Sequence, residues 1–220
     1  LDLSGENIDL QDGEAFGDTM TKKGPGILRF ISQNWNGIPE SSYNDKSSQI
    51  VNHICSWDAD GWMGQETGLC WYKVEEKNQW RERTRQKGIR LNSNVQFNTT
   101  ELERTEAIQA GGVAVIITND LTPRCCERGG DPTGLGRWAW TRIEGTDNRH
   151  TRLVSVYRPC LPTGHGPGTV HKQHRRFFGE SDLQPRQALL DDLDFYIREW
   201  QDQGDVIVLG MDANEDTRSR

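Results

Sequence analysis

Long apolar segments are absent from this 220-residue chain. No run approaches the eighteen or so consecutive apolar residues that cross a bilayer, and no export-signal pattern opens the chain. Both absences predict an intracellular protein that does not bind membranes, with the nucleus as one possible location. The chain begins with Leu1 rather than Met, which indicates a fragment or a processed product.

Cysteine and aliphatic residues are also scarce. The five cysteines are odd in number and form no Cys-x-x-Cys, so we expect neither a disulfide framework nor a zinc motif. This pattern predicts a reducing compartment. Leu, Ile, Val and Phe make up about a fifth of the chain, close to the composition of disordered proteins. Eight Trp residues oppose disorder because each indole buries a large apolar area. One folded domain is the expectation for this length.

Negative charge is concentrated at the start of the chain. The net charge is −7, and residues 1–24 contain six acids against Lys22 and Lys23, so the remainder is close to neutral. This polar, aperiodic segment predicts a flexible acidic arm over residues 1–24, followed by one domain over residues 25–220. A near-neutral domain neither requires nor excludes a nucleic-acid partner.

Apolar periodicity beyond the arm predicts alternating strands and helices. The predicted strands are 27–31, 59–66, 95–97, 112–118, 138–143, 152–157 and 205–209; the predicted helices are 47–55, 71–87 and 185–203; the predicted loops are 122–136 and 161–185. Apolar runs predict that strands 27–31, 112–118 and 205–209 are buried. Strands that pair locally and strands separated by helices together indicate mixed α/β layers.

Acidic and amide side chains follow three of these strands: Asn34 and Asn36, Glu66, and Asp212 with Asn214. Mg²⁺ takes one or two carboxylates and leaves other positions to water and substrate phosphate, which makes Glu66 the best ligand candidate. Neighbouring amides can orient phosphate oxygens, and Asp212 can position or deprotonate a water molecule. The alternative is that these residues only mark turns, since Asn and Asp side chains bond to nearby backbone.

Two further features have competing interpretations. His171 and His174 have no nearby Cys or acid, which predicts a solvated loop; phosphate-backbone contact is the alternative. Trp35 is expected in the core, with substrate contact as the alternative because it lies between two candidate site amides.

Five ordered motifs carry a resemblance to a known family. They are Ser32-Gln33-Asn34-Trp35-Asn36-Gly37, Gln65-Glu66-Thr67, Gly111-Gly112-Val113-Ala114, Val154-Ser155-Val156-Tyr157-Arg158-Pro159 and Gly210-Met211-Asp212-Ala213-Asn214. From Ile27 to Asp216 the chain resembles the endonuclease/exonuclease/phosphatase superfamily, which includes apurinic/apyrimidinic endonucleases and pancreatic-type deoxyribonucleases. The Tyr-Arg-Pro variant, residues 134–138 and Pro185-Arg186 look most like retroelement endonuclease domains.

The resemblance implies an α/β (α+β) DNase I-like fold, a four-layer sandwich of two packed mixed β-sheets flanked by helices, here lacking the last strands. It also implies that Glu66 binds Mg²⁺ or Mn²⁺ with Asn36 beside it. Arg158 is a candidate substrate-binding residue, and Trp35 is one under the alternative given above.

The resemblance also implies how the chemistry is divided among the site residues. Asn34 and Asn214 would hold the scissile phosphate, the Tyr157 hydroxyl would lie beside it, and Asp212 would orient the attacking water. In-line displacement in the nuclease branch would then leave a 3′-hydroxyl end.

Two departures from the family pattern qualify this expectation. Cys160 stands where many repair-type members have Asn, which weakens abasic-site specificity. The family's closing segment, with a late Asp and a Ser-Asp-His run, has no counterpart before Arg220. We therefore expect the chain alone to be weakly active or inactive, unless a C-terminal segment or a second polypeptide completes it.

The predicted function is that of a metal-dependent phosphodiesterase, a DNA endonuclease domain, with RNA as a further possible substrate and a reverse transcriptase as a possible partner in the parent protein. One alternative is a phosphatase acting on a small phosphoester or phosphoinositide. The other is a non-catalytic retroelement remnant or nucleic-acid-binding module.

Overall fold

The computed structural model describes residues 22–38, 46–68, 90–100, 109–161, 169–179 and 181–215. The strands are β1 (Phe30–Asn34), β2 (Gly61–Gln65), β3 (Leu91–Gln96), β4 (Val113–Thr118), β5 (Cys125–Gly130), β6 (Trp138–Glu144), β7 (His150–Tyr157) and β8 (Val206–Asp212). The helices are α1 (Lys46–Ser56), α2 (Val170–Phe178) and α3 (Pro185–Asp202), with a 3₁₀ turn at Asn119–Arg124.

The eight strands form two mixed four-stranded sheets. In the first, ordered β1-β2-β4-β3, β1 and β2 are parallel and the other pairs are antiparallel. In the second, ordered β5-β6-β7-β8, β7 and β8 are parallel and the other pairs are antiparallel. The predicted pair of mixed sheets is confirmed.

Three apolar clusters stack the elements into four layers. Side chains such as Met63, Val115 and Leu153 fill the space between the sheets. Helix α1 covers the outer face of the first sheet and α3 covers the outer face of the second. The predicted four-layer sandwich is therefore confirmed, and it leaves the strand ends free to build a site.

Two strands that were predicted to be buried lie at sheet edges instead. Strand β1 begins at Phe30, later than predicted, and Ile27 and Leu28 are exposed. Strand β8 exposes Val206 and Leu209. Each has one neighbour among the described strands, so its apolar side chains are covered less completely than those of central β4, whose predicted burial is confirmed.

The two predicted loops contain regular structure. The 3₁₀ turn ends inside the predicted loop 122–136, and strand β5 lies entirely within it. Helix α2 lies within the predicted loop 161–185. The prediction of a solvated loop at His171 and His174 is wrong, because both lie on α2 and His174 is 1% exposed. Thr169 caps the helix by accepting a hydrogen bond from the backbone of Lys172.

Some sequence predictions fall outside the described residues: most of the acidic arm, and the helix at 71–87. At the end of the predicted arm, Lys23 Nζ lies 2.8 Å from Asp60 Oδ1, which attaches this part of the chain to the turn before β2. Within the described ranges, no helix has the length and apolar character needed to cross a membrane.

A buried charge cluster fixes the start of β8. Asp205 accepts hydrogen bonds from Arg142 at 2.8 Å and from Arg152 at 2.7 Å, which holds its pKa below the usual range despite its burial. The Arg152 guanidinium lies 4.1 Å from the Trp140 ring centroid and 4.8 Å from that of Trp200. These contacts fix the position of β8, the strand that ends at the candidate site residue Asp212.

Candidate active site

Two parallel strand pairs end on the same side of the sandwich. Asn34 at the end of β1 is in register with Gln65 at the end of β2. Tyr157 at the end of β7 is in register with Asp212 at the end of β8. Because parallel neighbours end at one edge, each pair delivers its polar residues together.

A buried amide joins the two pairs just below this edge. Gln65 Nε2 lies 3.1 Å from Ser155 Oγ on β7 and 3.3 Å from the Gly210 carbonyl on β8. Ser155 Oγ in turn donates to the Gly64 carbonyl at 2.9 Å. Paired buried polar groups of this kind specify one arrangement of facing elements, because leaving them unpaired is costly. The two sheets therefore meet in one fixed register.

Asn34 connects the two candidate carboxylates. Its Nδ2 donates to Glu66 Oε2 at 3.0 Å and to Asp212 Oδ2 at 2.6 Å. Its Oδ1 accepts a hydrogen bond from the Asn36 backbone N–H at 2.6 Å, which fixes the orientation of the amide. Glu66 and Asp212 thus share the nitrogen of Asn34, which is 178 positions from Asp212 in the sequence. The structure brings Asn34, Glu66 and Asp212 into a single site.

Glu66 has a left-handed backbone conformation, with φ 54°. This region is unfavourable for a residue with a full side chain and is retained where surrounding contacts enforce it. Here the Glu66 carbonyl accepts from Gly37 N at 2.8 Å, and the next residue, Thr67, donates from its backbone to Gly112 at 3.1 Å. The conformation turns the carboxylate towards Asn34.

Tyr157 lies beneath the acids and is 4% exposed. Its hydroxyl donates to Glu66 Oε1 at 3.4 Å. Burial and then the negative charge of Glu66 raise the pKa of Tyr157 well above its usual range, with Asp212 adding to the effect. The phenol is therefore a neutral hydrogen-bond donor at physiological pH.

Asn214 is held from several sides. Its backbone N–H donates to Asp212 Oδ1 at 3.1 Å, and its Nδ2 donates to the Arg158 carbonyl at 2.6 Å. Its Oδ1 accepts from Cys160 Sγ at 3.1 Å, and the same sulfur lies 3.8 Å from the Tyr157 hydroxyl. The Cys160 contacts were not foreseen from the sequence, where this residue was noted only as a departure from the family pattern.

Arg186 completes the same side of the site. Its guanidinium donates to the carbonyl of Pro159, to the carbonyl of Asn214 at 3.1 Å, and to the Glu215 carboxylate. Arg158 Nη1 reaches the same Glu215 oxygen at 3.0 Å. The sequence marked Arg186 only as a helix start, since its contacts depend on two distant loops.

Of two other predicted site residues, Trp35 is buried and Asn36 is exposed. Trp35 is 4% exposed, and a Cβ built on Gly64 would lie 2.3 Å from its ring. The indole therefore belongs to the core, as first expected for Trp35, and its burial does not favour the alternative of a substrate contact. The Asn36 side chain is exposed beside Asn34, and its backbone rather than its side chain enters the network.

The donor set suits a hard divalent cation. Glu66 and Asp212 provide two carboxylates, and the adjacent asparagines provide amide groups. Oxygen ligands with one or two carboxylates are what Mg²⁺ prefers in proteins. Among the residues that the structure describes, no group of three or more His, Cys, Asp or Glu side chains is placed to hold a metal ion, so a cation here would depend on the two carboxylates together with amide oxygens, water and substrate.

Comparisons with known proteins agree with this architecture at the level of the fold. No family model and no curated protein matches the chain. Among solved structures, the catalytic domain of human Nocturnin with bound sulfate anion has a TM-score of 0.50 at 11% identity, covering 87% of this chain and 66% of that domain.

Two further solved structures are similar at lower TM-scores. An endonuclease/exonuclease/phosphatase family protein from Leptotrichia buccalis has a TM-score of 0.43 at 12% identity, covering 63% of this chain and 57% of that protein. The endonuclease domain of TRAS1, a telomere-specific non-LTR retrotransposon, has a TM-score of 0.44 at 12% identity, covering 86% of this chain and 62% of that domain. The chain thus spans less than two thirds of the length of each of these three structures.

The fold is therefore established. The chain has a DNase I-like sandwich of two packed mixed sheets, the fold that the resemblance predicted.

Proposed function

We propose that this chain is a divalent-metal-dependent phosphodiesterase that cleaves DNA as an endonuclease. One observation carries the proposal: Asn34 Nδ2 lies within hydrogen-bond distance of both Glu66 and Asp212. Two carboxylates gathered at an open edge form a cation site, and the amide that separates them is suited to bind phosphate oxygens.

Glu66 would hold Mg²⁺ or Mn²⁺, with the exposed Asn36 side chain next to it. When bound, the cation supplies positive charge that offsets the charge of the phosphate. Asn34 would then exchange its hydrogen bonds to the carboxylates for hydrogen bonds to phosphate oxygens. Asn214 would contribute in the same way from the opposite strand.

Asp212 would orient the attacking water molecule and accept its proton. Its Oδ1 is fixed by the Asn214 backbone N–H at 3.1 Å, which leaves Oδ2 as the oxygen that faces Asn34. Tyr157 would donate its hydroxyl proton in a hydrogen bond to a phosphate oxygen. Because its pKa is raised, Tyr157 acts as a donor and not as a base.

Positive charge beside the site favours a polyanionic substrate. Arg158 and Arg186 lie next to Asn214, and α2 presents further basic residues, among them Lys172 and Arg175. Phosphate contacts supply most of the affinity of proteins for nucleic acids. A reverse transcriptase or a further C-terminal segment in the parent protein is the partner that the retroelement resemblance suggests.

Nicking of supercoiled plasmid with Mg²⁺ tests the proposal, since a single cut per molecule is visible even for a slow enzyme. We expect slow nicking by the wild-type chain, faster nicking when the chain is extended at its C-terminus, and a loss of at least about a hundredfold in Asp212→Asn, because proton acceptance by a positioned group contributes that much or more. Asp194→Asn is the matched control. It removes a carboxylate from the exposed face of α3, where Asp194 pairs with Arg198, and should leave nicking unchanged.

Two results would contradict the proposal. Hydrolysis of p-nitrophenyl phosphate without nicking would favour a small-molecule phosphatase. DNA binding without any Mg²⁺-dependent cleavage, also after extension of the chain at its C-terminus, would favour a non-catalytic module.

A further inference from the structure

Two arginines converge on one carboxylate oxygen beside the candidate site. Arg158 Nη1 lies 3.0 Å from Glu215 Oε2, and Arg186 Nη2 donates to the same oxygen. Both arginines are also bonded to backbone carbonyls at the end of β8. Arg158 N donates to the Asp212 carbonyl at 3.0 Å, and Arg186 Nη2 donates to the Asn214 carbonyl at 3.1 Å. The pair is thus built into the wall of the site.

Burial differs sharply between the cations and the anion. The side chains of Arg158 and Arg186 are 15% and 9% exposed, whereas that of Glu215 is 54% exposed. In the described chain, the buried Arg158 Nε has no hydrogen-bond partner. Two largely buried guanidinium groups therefore face a single, half-exposed carboxylate, which leaves excess positive charge and an unused donor.

Among the described residues, Glu215 is the carboxylate that pairs with both arginines, and a histidine rather than an acid lies on the helix facing them. Burial and the positive charges of Arg186 and Arg175 lower the pKa of His171 on the facing helix α2. Arg186 and Arg175 thus place positive charge next to His171. A planar guanidinium fork matches phosphate oxygens, and two forks bind an anion with several oxygens better than they bind one carboxylate oxygen.

We propose that Arg158 and Arg186 form a phosphate-binding subsite and that Glu215 occupies it in the free protein until a substrate phosphate displaces it. The identity of that phosphate, a nucleic-acid backbone phosphate next to the scissile one, rests on the proposed function. Displacement is inexpensive because a half-exposed ion pair contributes little stability. Glu215 thereby excludes weaker anions from the subsite.

Binding of a fluorescein-labelled DNA duplex, measured by anisotropy in EDTA, tests this subsite without catalysis. Glu215→Gln should tighten binding roughly three- to tenfold, because removing the competitor frees both guanidinium groups. Glu199→Gln, at the far end of α3 and equally exposed, makes the same change in net charge and should give a much smaller gain. In an Arg158→Gln background, Glu215→Gln should give no gain beyond that of the control. The Arg186 side chain is left intact because it braces two backbone carbonyls.

A tightening in Glu215→Gln no larger than in Glu199→Gln, or an equal gain in the Arg158→Gln background, would overturn the proposal. Inorganic phosphate at matched ionic strength should compete with the duplex better against wild type than against Arg158→Gln; equal competition would also overturn it. The tighter duplex binding of Glu215→Gln should persist when Asp212→Asn is added. The test of the subsite therefore does not depend on whether the proposed hydrolysis occurs. Loss of cleavage with an intact gain would count against the proposed function alone.

Discussion

Asn34 shows how one residue can turn two separate acids into a site. Its place after an apolar run, like those of Glu66 and Asp212, was visible in the sequence, because strand ends deliver polar side chains to loops. Its orientation was not, since it depends on the backbone N–H of Asn36. The contact of Cys160 with Asn214 was equally hidden, because it joins loops that follow different strands.

Tyr157 gives the first prediction at this scale. Replacing it with Phe removes a single hydroxyl whose bond to Glu66 is long, at 3.4 Å. We expect plasmid nicking to fall about ten- to a hundredfold and the free energy of unfolding to change by less than about 1 kcal/mol. Nicking rates and urea unfolding curves of the two proteins measure the two effects.

The ionisation of Tyr157 provides the control for that prediction. Since burial and the Glu66 charge raise its pKa above the ordinary value of about 10, Tyr157 should stay protonated between about pH 9 and 11. Wild type and Tyr157→Phe should then show the same phenolate absorbance gain over that range. A smaller gain in the variant would show that Tyr157 titrates normally, and the buried-donor role would be wrong.

At the scale of elements, periodicity identified the central strands and the longest helix but missed β5 and α2. Strand β5, Cys-Cys-Glu-Arg-Gly-Gly, has no apolar alternation and is held by its pairing with β6. Helix α2 is short and polar, yet its Thr169 cap and the Gly179 that follows it were readable signals. The neighbouring glycines and prolines obscured them.

His174 on α2 supplies a prediction about pH. Its ring nitrogens are buried beside the backbone of Leu135 and lack a well-formed hydrogen bond in the described chain. Burial, and then the charge of Arg137, lower its pKa to about 4. From about pH 6.5 downward the unfolded chain binds a proton that the folded chain does not, so the free energy of unfolding should fall by up to about 1.4 kcal/mol per pH unit.

Substitution His174→Leu isolates this effect. The variant should lose most of the acid dependence and be at least as stable as wild type at neutral pH, because two poorly paired buried nitrogens are removed. Urea unfolding at about pH 7, 6 and 5 provides the measurement. An unchanged slope in the variant would show that His174 does not cause the acid dependence. Asp131 and Asp205 do not interfere with this test, because their lowered pKa values affect stability only at lower pH, below about pH 5.

For the whole molecule, the layers could be predicted from the sequence, but the contacts that fix one sheet against the other could not. The motifs on β1, β2, β7 and β8 indicated two sheets, but the amide of Gln65 that fixes their register is recognisable only with both sheets in place. The charge cluster at Asp205 is of the same kind. Edge exposure was also misjudged, because an apolar run does not indicate how many neighbours its strand has.

Mn²⁺ binding measured by electron paramagnetic resonance tests most directly whether distant strand ends build one cation site. We predict one bound Mn²⁺ per chain, weakened at least about tenfold in Glu66→Gln and unchanged in Asp194→Asn. Circular dichroism would verify that each variant is folded. Binding of Mn²⁺ to Glu66→Gln with wild-type affinity would contradict the account.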